Sequence, residues 1–362
     1  MMTCQYRHLP TAALLCVVCA LLGAGDPVFA DEPSAIAAAT SAPLNFPTAT
    51  MGGVQFWSDE LVFRGWRIQQ NVLTGHYRLL DDHDFRMAWG TFDQCQARLE
   101  ELKREHNLLP LKGRAVVTLH GLGRSRDAMA MLGKETTDGT DATWINVSYA
   151  SSRRSLDDHA QSLARVLSHL DGIDEIDFVC HSLGNLVVRR YLGEASLPES
   201  RWKTDPRIKR MVMLGPPNNG AQLARLFKDN KLFGLVTGPS GKLLALPQGE
   251  LQKQLGTPAF EFGIIAGSCG DTSQSNPVVA GEDDLIVAVE ETRLAGASDF
   301  LVVNCWHGTM LHDEHVCQCA ARFLKDGCFV ASDKRMPIGD HEGSKNGERS
   351  ALEKGERGAP DP

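Results

Sequence analysis

The chain has 362 residues, is 43% hydrophobic and carries a formal net charge of −8, with a pI near 5.8. That length and apolar content suffice to bury a full core, as one large domain with a small addition. The acidic balance argues against a nucleic-acid binder, which neutralises phosphates with surplus Lys and Arg.

Residues 1–30 read as a secretory signal. Arg7 supplies positive charge, Thr11 to Leu22 an apolar stretch, and Val28-Phe29-Ala30 a small-residue cleavage pattern before Asp31. An uncleaved anchor is the alternative, although the apolar run ends at Gly23 and is short for a bilayer span. The expected destination is the periplasm or the outside. Residues 31–52, rich in Ala, Ser, Pro and Thr, read as a linker.

Residues 53–110 form an expected extension of hairpin plus helix. Leu61 to Gln69 and His76 to Leu80 are rich in β-formers and flank an Asn-x-x-Thr-Gly turn. Thr91 is placed to cap a helix running through Arg104, with Phe92, Cys95, Leu99 and Leu102 on one face.

From Ala115 the pattern becomes short apolar runs separated by helical stretches, as expected for a mostly parallel sheet covered by helices on both faces. The runs are Ala115–Leu119, Trp144–Val147, Asp177–Cys180, Ile208–Leu214, Phe260–Ala266 and Phe300–Val303. Leu163, Val166, Leu167 and Leu170 mark one helix, and Val187 to Leu192 continues another straight out of the third run. The fold class is α/β, with residues 111–330 as its body. Residues 331–362 are mostly polar and charged, and are expected to form a disordered tail.

Three of the ten cysteines (Cys4, Cys16, Cys19) lie in the leader. The others, Cys95, Cys180, Cys269, Cys305, Cys317, Cys319 and Cys328, are odd in number, so at least one is free. Export leaves a disulfide among the C-terminal group open. Beyond the leader there is no Cys-x-x-Cys pair of the kind a zinc ribbon uses.

The sharpest signal is Phe178-Val179-Cys180-His181-Ser182-Leu183-Gly184-Asn185, a strand entering a helix through a turn centred on serine. A nucleophile elbow needs small residues two before and two after the serine, because the turn presses strand and helix together. Gly184 meets this, and Cys180 stands where glycine is usual. The plain alternative is a buried serine capping a helix; Cys180 as a thiol nucleophile is the minor one. The second signal is His120-Gly121-Leu122-Gly123-Arg124-Ser125 at the end of the first run. In a hydrolase built this way, an amide of this loop and that of the residue after the nucleophile form the oxyanion hole, here Leu122 and Leu183. His120 reads as an anchor of the loop.

With these residues in hand, the stretch from Ala115 to about Phe329 resembles the lipase/esterase branch of the α/β-hydrolases, near bacterial triacylglycerol lipase-like and GPI inositol-deacylase-like proteins. Eight blocks match in order: HGLGRSR, YASSRRS, CHSLGN, LGPPNNGAQLA, QLGT, GIIAG, GEDDLIVAVEETRL and WHGTML. Asn185 and Leu285 also stand where the family often has glycine. The resemblance implies Ser182 as nucleophile, Asp284 as the orienting acid and His307 as general base, in the chain order usual for that fold. Asp283 adjoins Asp284. His312 and His315 are rivals to His307, or a metal pair lacking a third ligand. The segment Ala221–Val236, with Gly234, Gly238 and Gly241 as hinge points, reads either as a short helical lid or as an ordinary connecting helix.

The reading is a serine hydrolase of small-molecule or lipid carboxylic esters, with no metal or organic cofactor and with transient contact to a lipid surface. The alternatives are an amidase or lipid-linked glycan deacylase, and a silent hydrolase fold used for binding.

Overall fold

The computed structural model describes residues 48–49, 55–226, 230–246, 248–269 and 281–339. The leader and nearly all of the linker lie outside the described residues. Among the described residues, no helix is long and apolar enough to cross a membrane.

Six strands form a wholly parallel sheet in the order β11-β10-β9-β8-β6-β7. They are β6 (Gly113–Leu119), β7 (Thr143–Val147), β8 (Ile173–His181), β9 (Ile208–Leu214), β10 (Glu261–Ser268) and β11 (Asp299–Asn304). All six coincide with the apolar runs, because strands covered on both faces bury every side chain in alternation. Val116 and Val179 enter one core with Met129, Leu132 and Phe323. Val117, Phe178 and Cys180 enter the other. Helix α2 (Ala130–Thr137) packs with α8 (Glu314–Asp326) on one side, and α3 (Leu156–Ser168) with α4 (Leu183–Ala195) on the opposite side. Successive strands leave β6 in opposite directions, to β7 and to β8. Ligands of open parallel sheets bind at such a switch point, at the carboxyl ends of the strands. The HGLGR loop and the Ser182 turn lie there.

The extension is more than the expected hairpin. Strands β1 (Thr48–Ala49), β2 (Trp57–Phe63), β3 (Trp66–Asn71), β4 (Tyr77–Leu80) and β5 (Phe85–Gly90) make an antiparallel sheet ordered β1-β5-β4-β3-β2. The segment expected as one strand, Leu61 to Gln69, is broken by a two-residue turn at Arg64 (φ 49°) and Gly65 (φ 88°), both left-handed as a tight hairpin requires. The Asn-x-x-Thr-Gly turn forms as expected, Asn71 Oδ1 accepting the Leu73 and Thr74 amides at 3.0 Å. Thr91 caps α1 (Phe92–Glu105) through a reciprocal pair of bonds with Gln94.

This sheet is fastened to the β7 edge through Asp59. Its amide donates to Ser148 O at 2.9 Å, and its buried carboxylate accepts Ser148 N, Arg67 and Gln69 at 2.7–2.8 Å.

At the other end, the expected boundary of the tail at residue 331 lies too early. Met336 N donates to Asp299 Oδ1 at 2.9 Å, Ile338 exchanges backbone bonds with Gly296 and Ala297, and the Ile338 side chain is buried. Residues 340–362 lie outside the described residues.

Candidate active site

Ser182 leaves the end of β8 with φ 50° and ψ −119°, a left-handed backbone that serine rarely adopts. Its neighbours account for the tolerance. A Cβ on Gly184 would lie 2.5 Å from Leu119 O, and one on Gly121 would lie 3.1 Å from Ser182 Cβ. Both glycines are therefore demanded by close approach. Asn185, where the resembling family often has another glycine, uses its side chain instead, donating to Ser182 O at 3.0 Å and Leu214 O at 3.3 Å. The Ser182 hydroxyl makes no capping bond to α4, so the helix-cap alternative does not describe it. Cys180 is fully buried, and burial pushes its thiol well above the ordinary range. A thiolate nucleophile is disfavoured there.

His307 follows β11 and Asp284 follows β10. His307 Nδ1 donates to Asp284 Oδ2 at 2.7 Å, with the imidazole and carboxylate 4% and 0% exposed as residues. The second carboxylate oxygen accepts Ile286 N at 3.1 Å and Val287 N at 2.8 Å, while His307 N donates to Asp284 O at 3.0 Å. Both halves of the pair are thus fixed. With the proton on Nδ1, Nε2 presents a lone pair; it is buried and has no hydrogen-bond partner among the described residues.

The loops of the serine and the histidine both pack on the end of β9, although among the described residues His307 Nε2 makes no hydrogen bond to the Ser182 hydroxyl. Ser182 N donates to Leu214 O at 2.9 Å, and a Cβ on the next residue, Gly215 (φ 50°), would lie 3.0 Å from the His307 ring. His181, which the sequence did not single out, ties the two loops together: its Nε2 donates to His307 O at 3.0 Å and the rings lie 4.7 Å apart. Burial, then the nearby His307 and Arg124, hold its imidazole far below its usual range, so it stays neutral.

The HGLGR loop closes as a turn, Arg124 N donating to Gly121 O at 3.2 Å. Among the described residues, neither the Leu122 nor the Leu183 amide has an acceptor. His120 anchors the loop. Its Nδ1 donates to Gly121 O at 2.9 Å, its ring stacks on Tyr149 at 4.3 Å, and the Tyr149 hydroxyl donates to His120 O.

Asp283 faces elsewhere, its carboxylate accepting Leu285 N at 2.7 Å and its carbonyl accepting Cys269 N. Leu285 stands at φ 80°, which explains why glycine is frequent after the acid in the resembling family. His312 and His315 are exposed, and among the described residues no group of three potential metal ligands includes either. All seven cysteines beyond the leader are free and buried, so the disulfide left open by the sequence is not formed.

The expected lid spans α5 (Gln222–Leu226) and the start of α6 (Lys231–Leu244). Gly238 kinks α6 at φ 61°, and a Cβ there would lie 1.8 Å from Ser152 O. It is a packing point against the loop after β7. Beneath, the fully buried Arg189 of α4 donates to Asn218, to Gln252 at the end of α7 (Gln248–Gln252) and to Gly256 O. No sequence motif marked that arginine.

Two further buried histidines join His181 in giving the fold an acid limit. Burial pushes His120 down to about 4, and pushes His159 down to about 3 against the pull of Asp158. Both are neutral in the fold but take protons in the unfolded chain near the ordinary 6.5. Their stabilising contribution is therefore complete above that value and is lost as pH falls toward 4, at about 1.4 kcal/mol per pH unit for each group. The thermal midpoint should drop steeply over that window. His159→Phe removes the titrating group at a place where, among the described residues, neither ring nitrogen has a geometric hydrogen-bond partner, and should flatten the drop. An unchanged slope in this variant would remove His159 from the account.

The wholly parallel sheet with helices on both faces and a strained serine turn at its switch point is an α/β fold. Residues 86–259 match a family model described as a domain of unknown function (DUF7379). No curated protein matches. Among solved structures, phospholipase PlaB from Legionella pneumophila is similar at 16% identity and TM-score 0.37, covering 50% of this chain and 45% of that one. The chain thus spans less than half the length of that phospholipase. The mature lipase BlEst2 from Bacillus licheniformis is similar at 21% identity and TM-score 0.40, covering 54% and 84%. Est1E from Butyrivibrio proteoclasticus, solved with ferulic acid, is similar at 13% identity and TM-score 0.39, covering 60% and 90%.

Proposed function

We propose that the protein is an exported serine hydrolase that cleaves carboxylic esters with an apolar acyl part, using Ser182, His307 and Asp284. The observation that carries the reading is the buried 2.7 Å bond from His307 Nδ1 to Asp284, which leaves Nε2 as a base beside the strained Ser182 turn. In the reaction, Ser182 Oγ attacks the ester carbonyl while Nε2 takes its proton. The Leu122 and Leu183 amides receive the oxyanion. Collapse expels the alcohol, which takes the proton back from Nε2, and a water activated by the same nitrogen releases the acid and restores Ser182.

The test is a panel of p-nitrophenyl esters of increasing acyl length, with the matching anilides alongside. Hydrolysis of the esters with little turnover of the anilides is expected. Turnover of the anilides alone would make it an amidase, and inertness towards both would leave only binding. Export is tested by the mass of the protein outside the cytoplasm, which should begin at Asp31.

A lid role for residues 221–236 is tested at the kink that holds α6. Gly238→Ala places a Cβ into Ser152 O on a left-handed backbone, a strain of about 1–3 kcal/mol. Relief of that strain should move α6 and change the ratio of long-chain to short-chain hydrolysis, with short-chain activity retained. A lowered thermal midpoint with an unaltered chain-length profile would make the segment an ordinary connecting helix.

A further inference from the structure

The N-terminal sheet lies outside the α/β body, yet a residue of the turn before its β2 strand reaches the loop that carries the first oxyanion donor. Gln55 Nε2 donates to Arg124 O at 3.0 Å and to Ser151 Oγ at 3.2 Å. Its Oε1 accepts from Ser152 N at 3.0 Å and from Ser152 Oγ at 2.6 Å. Ser151 Oγ in turn accepts Gly123 N at 3.0 Å. The four-residue turn Gly121–Arg124 is therefore held from its far side at both residues that follow Leu122: Arg124 directly, and Gly123 through Ser151. Ser151 and Ser152 are buried, and Ser152 O is the atom against which Gly238 of α6 packs.

The backbone points the same way. Gln55 has φ 64°, a left-handed conformation that favours glycine, and its side chain uses both ends of its amide at once. A glycine would suit the backbone; the glutamine is there for what its side chain holds.

We propose that Gln55 is a positioning residue for ester hydrolysis, fixing the HGLGR turn so that the Leu122 amide points at the developing oxyanion. This rests on the serine-hydrolase reading above. It makes the N-terminal sheet part of the catalytic unit, because preorganised donors act only when their direction is set before the charge develops. Gln55 itself touches no substrate.

The experiment uses the full chain, with Gln55→Gly and Gln55→Glu beside the wild type. Three quantities are read on each: kcat and KM for a short-chain ester, the inhibition constant of a trifluoromethyl ketone that forms an oxyanion adduct with the serine, and the thermal midpoint. Glycine removes every bond of the side chain while relaxing the backbone, so the midpoint reports the structural cost separately from kcat. Glutamate keeps acceptors for Ser152 but, as a carboxylate, cannot donate to Arg124 O.

Both variants should lose about tenfold in kcat and about tenfold in ketone affinity, with KM moving less than about twofold, as expected when an interaction is made only in the transition state. Unchanged kcat and ketone affinity in both variants overturns the proposal, whatever happens to the midpoint. So does a rise in KM alone, which would place Gln55 in ground-state binding. Should the glycine variant fail to fold, the glutamate variant decides by the same quantities. A wild type that neither turns over the ester nor reacts with the ketone would instead defeat the hydrolase reading.

Discussion

Replacing Ser182 by alanine should abolish labelling by a fluorophosphonate probe and lower ester turnover by on the order of a millionfold. The turn at φ 50° is held by neighbours other than the hydroxyl: Gly184 against Leu119, Gly121 against Ser182 Cβ, and Asn185 donating to Ser182 O. Alanine keeps the Cβ that packs on Gly121 and removes only Oγ, which makes no capping bond. The variant should therefore fold with an unchanged or slightly raised thermal midpoint. That separates loss of chemistry from loss of structure. The labelled peptide from the wild type should span Ser182. Labelling that persists in the variant, or that maps to another serine, sinks the assignment.

The parts of this site that were readable in the sequence are those fixed by local chemistry. Cys180-His181-Ser182-Leu183-Gly184 is readable because the strand-to-helix turn restricts which residues can flank the serine, and because a strand buried on both faces reads as an unbroken apolar run. Long-range hydrogen bonding is not readable in this way. His181 serves His307 across 126 residues, and Gln55 serves Ser152 across 97. Neither leaves a periodicity or a local motif. The Arg64-Gly65 turn carries no local signal for a related reason: arginine at φ 49° is a choice the flanking strands impose, where Asn-Gly is the usual signature. β5 is not legible because Phe85-Arg86-Met87-Ala88-Trp89-Gly90 pairs on the sheet with both exposed and buried positions, giving no clean alternation. The ordered stretch through Ile338 hides in a charged context, since a single buried isoleucine cannot shift the composition of a polar tail.

Asp283 and Asp284 are adjacent and both fully buried, and only Asp284 bonds the His307 ring. Asp284→Asn should cost about ten-thousandfold in kcat, by analogy with the equivalent change in a serine protease triad. In the native site, Asp284 Oδ1 accepts the Ile286 and Val287 amides, so an asparagine would keep its carbonyl oxygen there. Its amide nitrogen would then face His307 Nδ1 and present a donor to a donor. The imidazole resolves that conflict by moving its proton to Nε2, the nitrogen that must accept from Ser182, so the base is lost while the shape is preserved.

Asp283→Asn should cost far less. Its carboxylate accepts the Leu285 amide at 2.7 Å, which an asparagine oxygen can also accept, and the His307 ring bonds to its neighbour. Both variants are measured on one short-chain ester, with circular dichroism to establish that each is folded. If Asp283→Asn is the crippling change, the acid has been placed one residue too late. If a folded Asp284→Asn retains wild-type turnover, His307 does not act as a base held by this carboxylate, and the triad falls with it.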